Sequence, residues 1–141
     1  MIVRFARRYH LNAAHRLFHP DRDDEWNESV FGKCSNEEGH GHNYELEVTL
    51  RGEPDKETGM VYPLNRLDAQ VKDIVLERFD HRSLNVRLEL SEASAPTSEV
   101  FLVEVWELLS KQLDVGQAEL VHLKLWETPR NMFEYAGARA K

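Results

Sequence analysis

The stretch Cys34-Ser35-Asn36-Glu37-Glu38-Gly39-His40-Gly41-His42-Asn43-Tyr44 carries the chain's only cysteine, six residues ahead of two histidines separated by one glycine. Successive side chains of an extended backbone point to opposite faces, so His40 and His42 project to the same side and both imidazoles can reach one metal ion. The same parity runs on through Tyr44, Leu46, Val48 and Leu50, while Asn43, Glu45, Glu47, Thr49 and Arg51 take the other face. The histidine pair therefore extends the apolar face of a strand expected over residues 40–52. A third ligand is expected from His15, because the odd positions Val3, Phe5, Tyr9, Leu11 and Ala13 lead up to it, with Arg7 the one break. Three histidines with no obvious carboxylate or second cysteine suit a catalytic zinc ion with an open coordination position, not a closed structural site. The plainer reading, three unrelated histidines, must explain why both strands place theirs on the apolar side.

Two further groups could move protons or hold a ring. Asp80-His81 stands where a helical pattern stops; alone it reads as an exposed helix end, but with a lone loop cysteine it supplies the parts of a proton relay. Cys34 is followed by the turn-prone Asn36, Glu37, Glu38 and Gly39, surroundings that suit a partly exposed thiol better than a hydrophobic filler. Glu127 follows Val121, Leu123 and Leu125 on one strand face. Such an acid either reaches solvent or accepts two parallel hydrogen bonds from the amidine edge of a pterin or guanine. His10, His19 and His122 fall on polar faces or in connections and read as structural or solvated.

These residues need a scaffold, and the periodicities supply one. A first strand is expected over residues 2–14. A connection of about 18 residues follows at 16–33, with Pro20 and the acid-rich run Asp21–Glu25; it is long enough to suggest a functional loop. After the second strand and a turn-rich segment at 51–59, Leu64, Leu67, Val71, Ile74, Val75 and Phe79 recur at helical spacing. Residues 81–95 read as irregular. A second helix is expected after Pro96, capped by Thr97 or Ser98, with Leu102, Trp106, Leu109 and Leu113 on its core stripe. Strands at 119–127 and 132–138 complete an α+β domain, an antiparallel four-stranded sheet with two helices on one face.

Composition narrows the functional classes. At 141 residues, 41% hydrophobic and 30% charged, the chain is expected to form one domain over residues 1–141. It has no apolar run near the ~20 residues of a membrane span, and it begins without a signal-peptide pattern, which points to the cytoplasm. A net charge of −7 argues against nucleic acid as partner.

Several motifs together resemble the 6-pyruvoyltetrahydropterin synthase family, which includes the 6-carboxytetrahydropterin synthases of queuosine biosynthesis. They are Asn12-Ala13-Ala14-His15-Arg16-Leu17, Phe31 to Asn36 running into Gly39 to Tyr44, Gly59-Met60-Val61, Asp80-His81 with Leu84-Asn85, Pro96 to Glu99, and Glu127-Thr128. They span nearly the whole chain in order. The resemblance implies the T-fold, whose subunits join into trimeric barrels and commonly stack as hexamers. It implies Zn2+ held by His15, His40 and His42, a catalytic Cys34, a relay pair Asp80 and His81, and a pterin-anchoring Glu127. Thr97, Ser98 and Glu99 match a stretch near the pterin. Tyr62-Pro63-Leu64 departs from the family pattern, in which an acidic or amide residue precedes an apolar one.

The activity so implied is conversion of 7,8-dihydroneopterin triphosphate to 6-pyruvoyltetrahydropterin with loss of triphosphate. The five residues between Cys34 and His40 resemble the pyruvoyl-forming type. The alternatives are the carboxy-forming reaction with acetaldehyde release, an aldolase using the same pocket, and, from another class, a non-catalytic zinc-binding module with Cys34 as fourth ligand.

Overall fold

In a computed structural model, which describes residues 1–88 and 95–138, the two histidine-bearing segments are long antiparallel neighbours, β1 (Val3–His15) and β2 (His40–Gly52). They pair continuously from Val3 opposite Gly52 to His15 opposite His40. Tyr9, Leu11, Ala13 and His15 on β1 and Tyr44, Leu46, Val48 and Leu50 on β2 are buried. A one-residue slip of either strand would turn its own buried set outward, so burial itself specifies the register. Arg7, the break in the apolar pattern, is accommodated by a fork to Asp68, with Nε and Nη2 donating at 2.9 and 2.8 Å. Tyr9 adds its hydroxyl to the same carboxylate at 2.8 Å.

β4 (Glu119–Trp126) lies on the far side of β2, and β5 (Met132–Tyr135) on β4, both antiparallel; the β2–β4 register shifts between Thr49 and Leu50. Among the described residues the sheet has five strands, not the four expected, because a short strand, β3 (Arg82–Ser83), is added to give the order β3-β1-β2-β4-β5. The addition runs parallel to Ala13 and Ala14 of β1. Its cause is local: the Asp80 carboxylate accepts from the Asn12 amide at 2.8 Å, and the His81 amide donates to the Asn12 carbonyl, so the chain leaving the helix zips onto the open edge of β1. Two residues carry no readable alternation. The last strand ends at Tyr135, short of the expected 138.

The helix expected over 64–79 is present as α2 (Leu64–Val71), a π turn at Lys72–Leu76, and α3 (Glu77–Phe79). Leu67, Val71, Val75 and Phe79 are all fully buried. Their strict four-residue spacing overshoots an α-helical turn by about 0.4 residue at each step, and the wider π turn takes up the drift. Pro63 is the residue before the helix and not part of its first turn. Beside it the departing Tyr62 donates to the Asp114 carbonyl at 2.8 Å.

α5 (Ser98–Gln112) begins where expected, with Thr97 Oγ1 accepting from the Val100 amide. Its buried stripe is Phe101, Leu102, Val105 and Leu109, whereas Trp106 and Leu113 lie at the margin.

The supposed loop at 16–33 contains a helix, α1 (Asp24–Phe31), followed by a 3-10 turn, Gly32–Ser35. Asp23 caps α1 by accepting from the Trp26 amide at 2.8 Å, Asp24 and Glu25 sit favourably in its first turn, and Gly32 ends it at φ 58. Buried Asn27 ties the segment together, accepting from the His19 amide and donating to the His19 and Asp23 carbonyls. Within the stretch read as irregular, Leu84–Arg87 forms a short α4; residues 89–94 of that stretch lie outside the described residues. No helix among the described residues is long and apolar enough to cross a membrane.

Phe79 packs edge-on against Phe101 at 5.0 Å between ring centroids, beneath the Asp80-His81 turn. Phe79→Ala is expected to lower unfolding free energy by about 3–5 kcal/mol, measured by urea denaturation. Leu113→Ala, at the half-buried margin, should cost clearly less, and equal losses would contradict this placement of the core.

Candidate metal centre

Strand parity and the β1–β2 register bring three imidazoles to one end of the sheet. His15 Nε2 lies 3.0 Å from His40 Nε2. The three rings meet edge to face, with centroids 4.6 Å (His15–His40), 4.7 Å (His40–His42) and 5.1 Å (His15–His42) apart. One nitrogen from each lies within 4.8 Å of the others. His15 Nδ1 sits 2.9 Å from the Pro96 carbonyl. A carbonyl only accepts, so Nδ1 carries the proton and the Nε2 lone pair faces the other two rings. His42 Nε2 is buried with no hydrogen-bond partner among the described residues.

Burial is the main cause that lowers the pKa of His15, aided by His40 and His42 and opposed by the Pro96 carbonyl and Glu127. Burial likewise lowers His42, against the pull of Glu127. Both are thus held neutral, the form in which imidazole binds metals. A buried nitrogen without a partner, and a ring whose second nitrogen is anchored on a carbonyl, fit a metal ion at this position. The loop entering β2 also needs its glycine: at Gly39, φ 70, an added Cβ would lie 2.9 Å from the His15 carbonyl oxygen.

Glu127, one residue past β4, reaches this cluster. Its Oε1 lies 3.4 Å from His42 Nε2 and 3.8 Å from His15 Nε2 and accepts from Ser98 Oγ at 2.9 Å. Oε2 accepts from Asn131 Nδ2 at 3.2 Å. Burial pushes the carboxyl pKa up, but the hydrogen bonds from Asn131 and Ser98, with the nearby His42 and His15, bring it net below the ordinary carboxylate value. Each oxygen keeps a free lone-pair direction, so a ligand with two adjacent N–H donors can still bind.

The other expected residues divide. Asp80 and His81 form a pair, with Oδ1 and Nδ1 3.0 Å apart, beside Asn12 of β1. His81 has φ 59, unusual for a residue with a side chain, and its imidazole is 80% exposed. Cys34 is partly exposed in the 3-10 turn, which is joined to β1's continuation by the Leu17 amide donating to the Cys34 carbonyl. Among the described residues its sulfur is not grouped with the histidines, and no hydrogen bond links it to Asp80 or His81. Thr97 is occupied as a helix cap and Glu99 is exposed. Sequence reasoning missed Asn131 and Tyr44 as neighbours of Glu127. The turn Thr128–Asn131 could have suggested the first, since it folds back to pair the Glu127 amide with the Asn131 carbonyl.

The family model described as 6-pyruvoyl tetrahydropterin synthase matches residues 4–138. The chain belongs to that family. It is 38% identical over 132 residues to the 6-pyruvoyl tetrahydrobiopterin synthase of Homo sapiens, covering 94% of this chain and 90% of that protein. The solved structure of Caenorhabditis elegans 6-pyruvoyl tetrahydropterin synthase superposes with a TM-score of 0.87 at 37% identity, over 98% of this chain and 97% of that one. The α+β architecture is thus the family's T-fold. More distant relatives carry other names. A dihydroneopterin monophosphate aldolase of Pyrococcus furiosus is 33% identical over 90% of this chain and 91% of its own length. A putative 6-carboxy-5,6,7,8-tetrahydropterin synthase of Archaeoglobus fulgidus is 39% identical over 57% of this chain and 65% of its own length.

Because His15 and His42 resist protonation when folded, the unfolded chain takes up protons first as pH falls below about 6.5. Stability of the metal-free protein should therefore decline on acidification from pH about 7.5 to about 5.5, and decline less steeply in His42→Gln. Urea midpoints of chelator-treated protein test this; a flat or rising profile would contradict the neutral, buried assignment.

Proposed function

We propose that this chain is a zinc-dependent lyase that converts 7,8-dihydroneopterin triphosphate to 6-pyruvoyltetrahydropterin and triphosphate. The carrying observation is that three imidazoles of a family member converge within reach of a carboxylate able to accept a paired N–H edge. His15, His40 and His42 would hold zinc, which when bound supplies Lewis acidity toward the substrate's side-chain hydroxyls. Glu127 accepts hydrogen bonds from the pterin edge and orients the ring. Cys34, as thiolate, takes a side-chain proton. His81, with Nδ1 held by Asp80, offers Nε2 for proton exchange on the opposite side. Oxidation of the side chain balances reduction of the pyrazine ring, triphosphate leaves, and no external electron carrier is needed. We place the whole chain, residues 1–141, in a single cytoplasmic domain that assembles into hexamers of two trimers.

The pyruvoyl product is favoured over the carboxy product by the five-residue spacer Ser35–Gly39 and by the names of the relatives that match over most of their length. Mass spectrometry after incubation with 7,8-dihydroneopterin triphosphate should find 6-pyruvoyltetrahydropterin; acetaldehyde with a 6-carboxypterin, or glycolaldehyde-type cleavage, would overturn the assignment. Against a zinc module closed by Cys34, the grouping of the histidines without its sulfur supports the enzyme. Cys34→Ala is accordingly expected to keep one zinc per chain and to lose about 10²-fold or more in kcat, by metal analysis and steady-state assay. Loss of most of the metal would favour the module.

A further inference from the structure

His15 is the last residue of β1, so its place depends on how firmly that end of the strand is held. On the inner side β1 is paired with β2 along its whole length, with His15 opposite His40. On the outer side, among the described residues, the one paired strand is β3, which covers only Ala13 and Ala14. Arg16 lies beyond it, and there the chain turns off the sheet. The Leu17 amide donates to the Cys34 carbonyl at 2.8 Å, and Arg16 Nε donates to the Ser35 carbonyl at 2.9 Å. A strand ending at that point with a bare amide and carbonyl would fray.

Asn85 of α4 meets both groups. Its Oδ1 accepts from the Arg16 amide at 2.8 Å, and its Nδ2 donates to the Arg16 carbonyl at 2.9 Å. The two ends of the side-chain amide are assigned without ambiguity, because a backbone N–H only donates and a carbonyl only accepts. One side chain thus supplies the two bonds that a further residue of β3 would otherwise provide. The same edge is met in a similar way at Asn12, whose amide goes to the Asp80 carboxylate and whose carbonyl accepts from the His81 amide. Residues 80–85 therefore hold β1 at Asn12, at Ala13 and Ala14, and at Arg16, and His15 lies within that span. Asn85 stands on a firm base, since Leu84 before it is fully buried and its carbonyl accepts from the Leu88 amide at 3.0 Å.

The Pro96 carbonyl fixes the His15 ring at Nδ1, but where Nε2 points also depends on the peptide that carries the ring. Metal–ligand distances tolerate errors of only about 0.2 Å. We propose that Asn85 is a positioning residue of the metal centre: by holding both backbone groups of Arg16 it keeps the end of β1 closed and His15 Nε2 aimed at the ion. This rests on the reading of His15, His40 and His42 as metal ligands.

Zinc affinity of the full chain, measured by competition with a chromophoric chelator, tests the proposal, with urea denaturation of the metal-free protein alongside. Asn85→Ala should bind zinc about tenfold more weakly. Asn85→Asp keeps the acceptor for the Arg16 amide but loses the donor to its carbonyl; its affinity should fall between the two, and it carries the test should Asn85→Ala fail to fold. Leu113→Ala, at the margin of the core, should lose stability yet bind zinc as tightly as the unaltered chain. The visible spectrum of cobalt-substituted protein, which follows ligand geometry, should change in Asn85→Ala and not in Leu113→Ala. Unchanged zinc affinity in the Asn85 variants, or an equal loss in Leu113→Ala, refutes positioning, while weakened binding in His15→Ala would still uphold the ligand reading. If the unaltered chain binds no zinc, or His15→Ala binds it equally well, the ligand reading falls and the role of Asn85 with it.

Discussion

The register between β1 and β2 is the constraint on which the site depends. It sets His15 opposite His40 and, two residues inward, His42 opposite Ala13. The same register buries Tyr9, Leu11, Leu46, Val48 and Leu50. The alignment that fills the core therefore also assembles the imidazoles, and neither can shift without the other. A slip by one residue would expose several large apolar side chains and scatter the histidines over both faces, so the metal centre inherits its precision from hydrophobic burial.

Towards this end of the sheet the buried face changes from apolar to polar without becoming wet. His15, Ser98 and Tyr44 are buried, and Glu127 is largely covered. Polar groups in such surroundings are costly unless each has a partner. Here the Pro96 carbonyl takes the His15 proton, Ser98 and Asn131 satisfy the carboxylate, and Tyr44 satisfies Ser98. His42 Nε2 is different: it is buried without a hydrogen-bond partner among the described residues, and such a nitrogen suits a metal ligand.

The Asp80-His81 pair is held differently. It is stitched to the edge of β1 through backbone groups of Asn12 and continues into a two-residue strand, with His81 forced to a positive φ at a cost of order 1–3 kcal/mol. The π turn upstream keeps Phe79 in the core, so the helix delivers its last residue to the sheet edge at the level of Asn12. The imidazole stands in solvent on a rigid base, unlike the enclosed metal histidines.

Much of this was legible in the residue order, because two periods govern the parts that are long. Alternation by two put His15, His40, His42 and Glu127 on buried faces, and the three-to-four spacing marked the helices over Leu64–Phe79 and from Ser98 onward, with Thr97 as cap. Where an element was short or packed mainly on its neighbouring turn, no period could announce it. α1 shows no clear period, although Asp23, Asp24, Glu25 and Gly32 bracket it, and the two residues of β3 are too few to show one. The partners within the site were decided only by folding. Ser98 meets Glu127 across 29 positions and Tyr44 across 54, and Pro96 meets His15 across 81. A hydrogen bond between distant residues leaves no trace in local spacing: the sequence by itself determines which face a side chain takes, and only the packing of α5 against the sheet determines what it meets there.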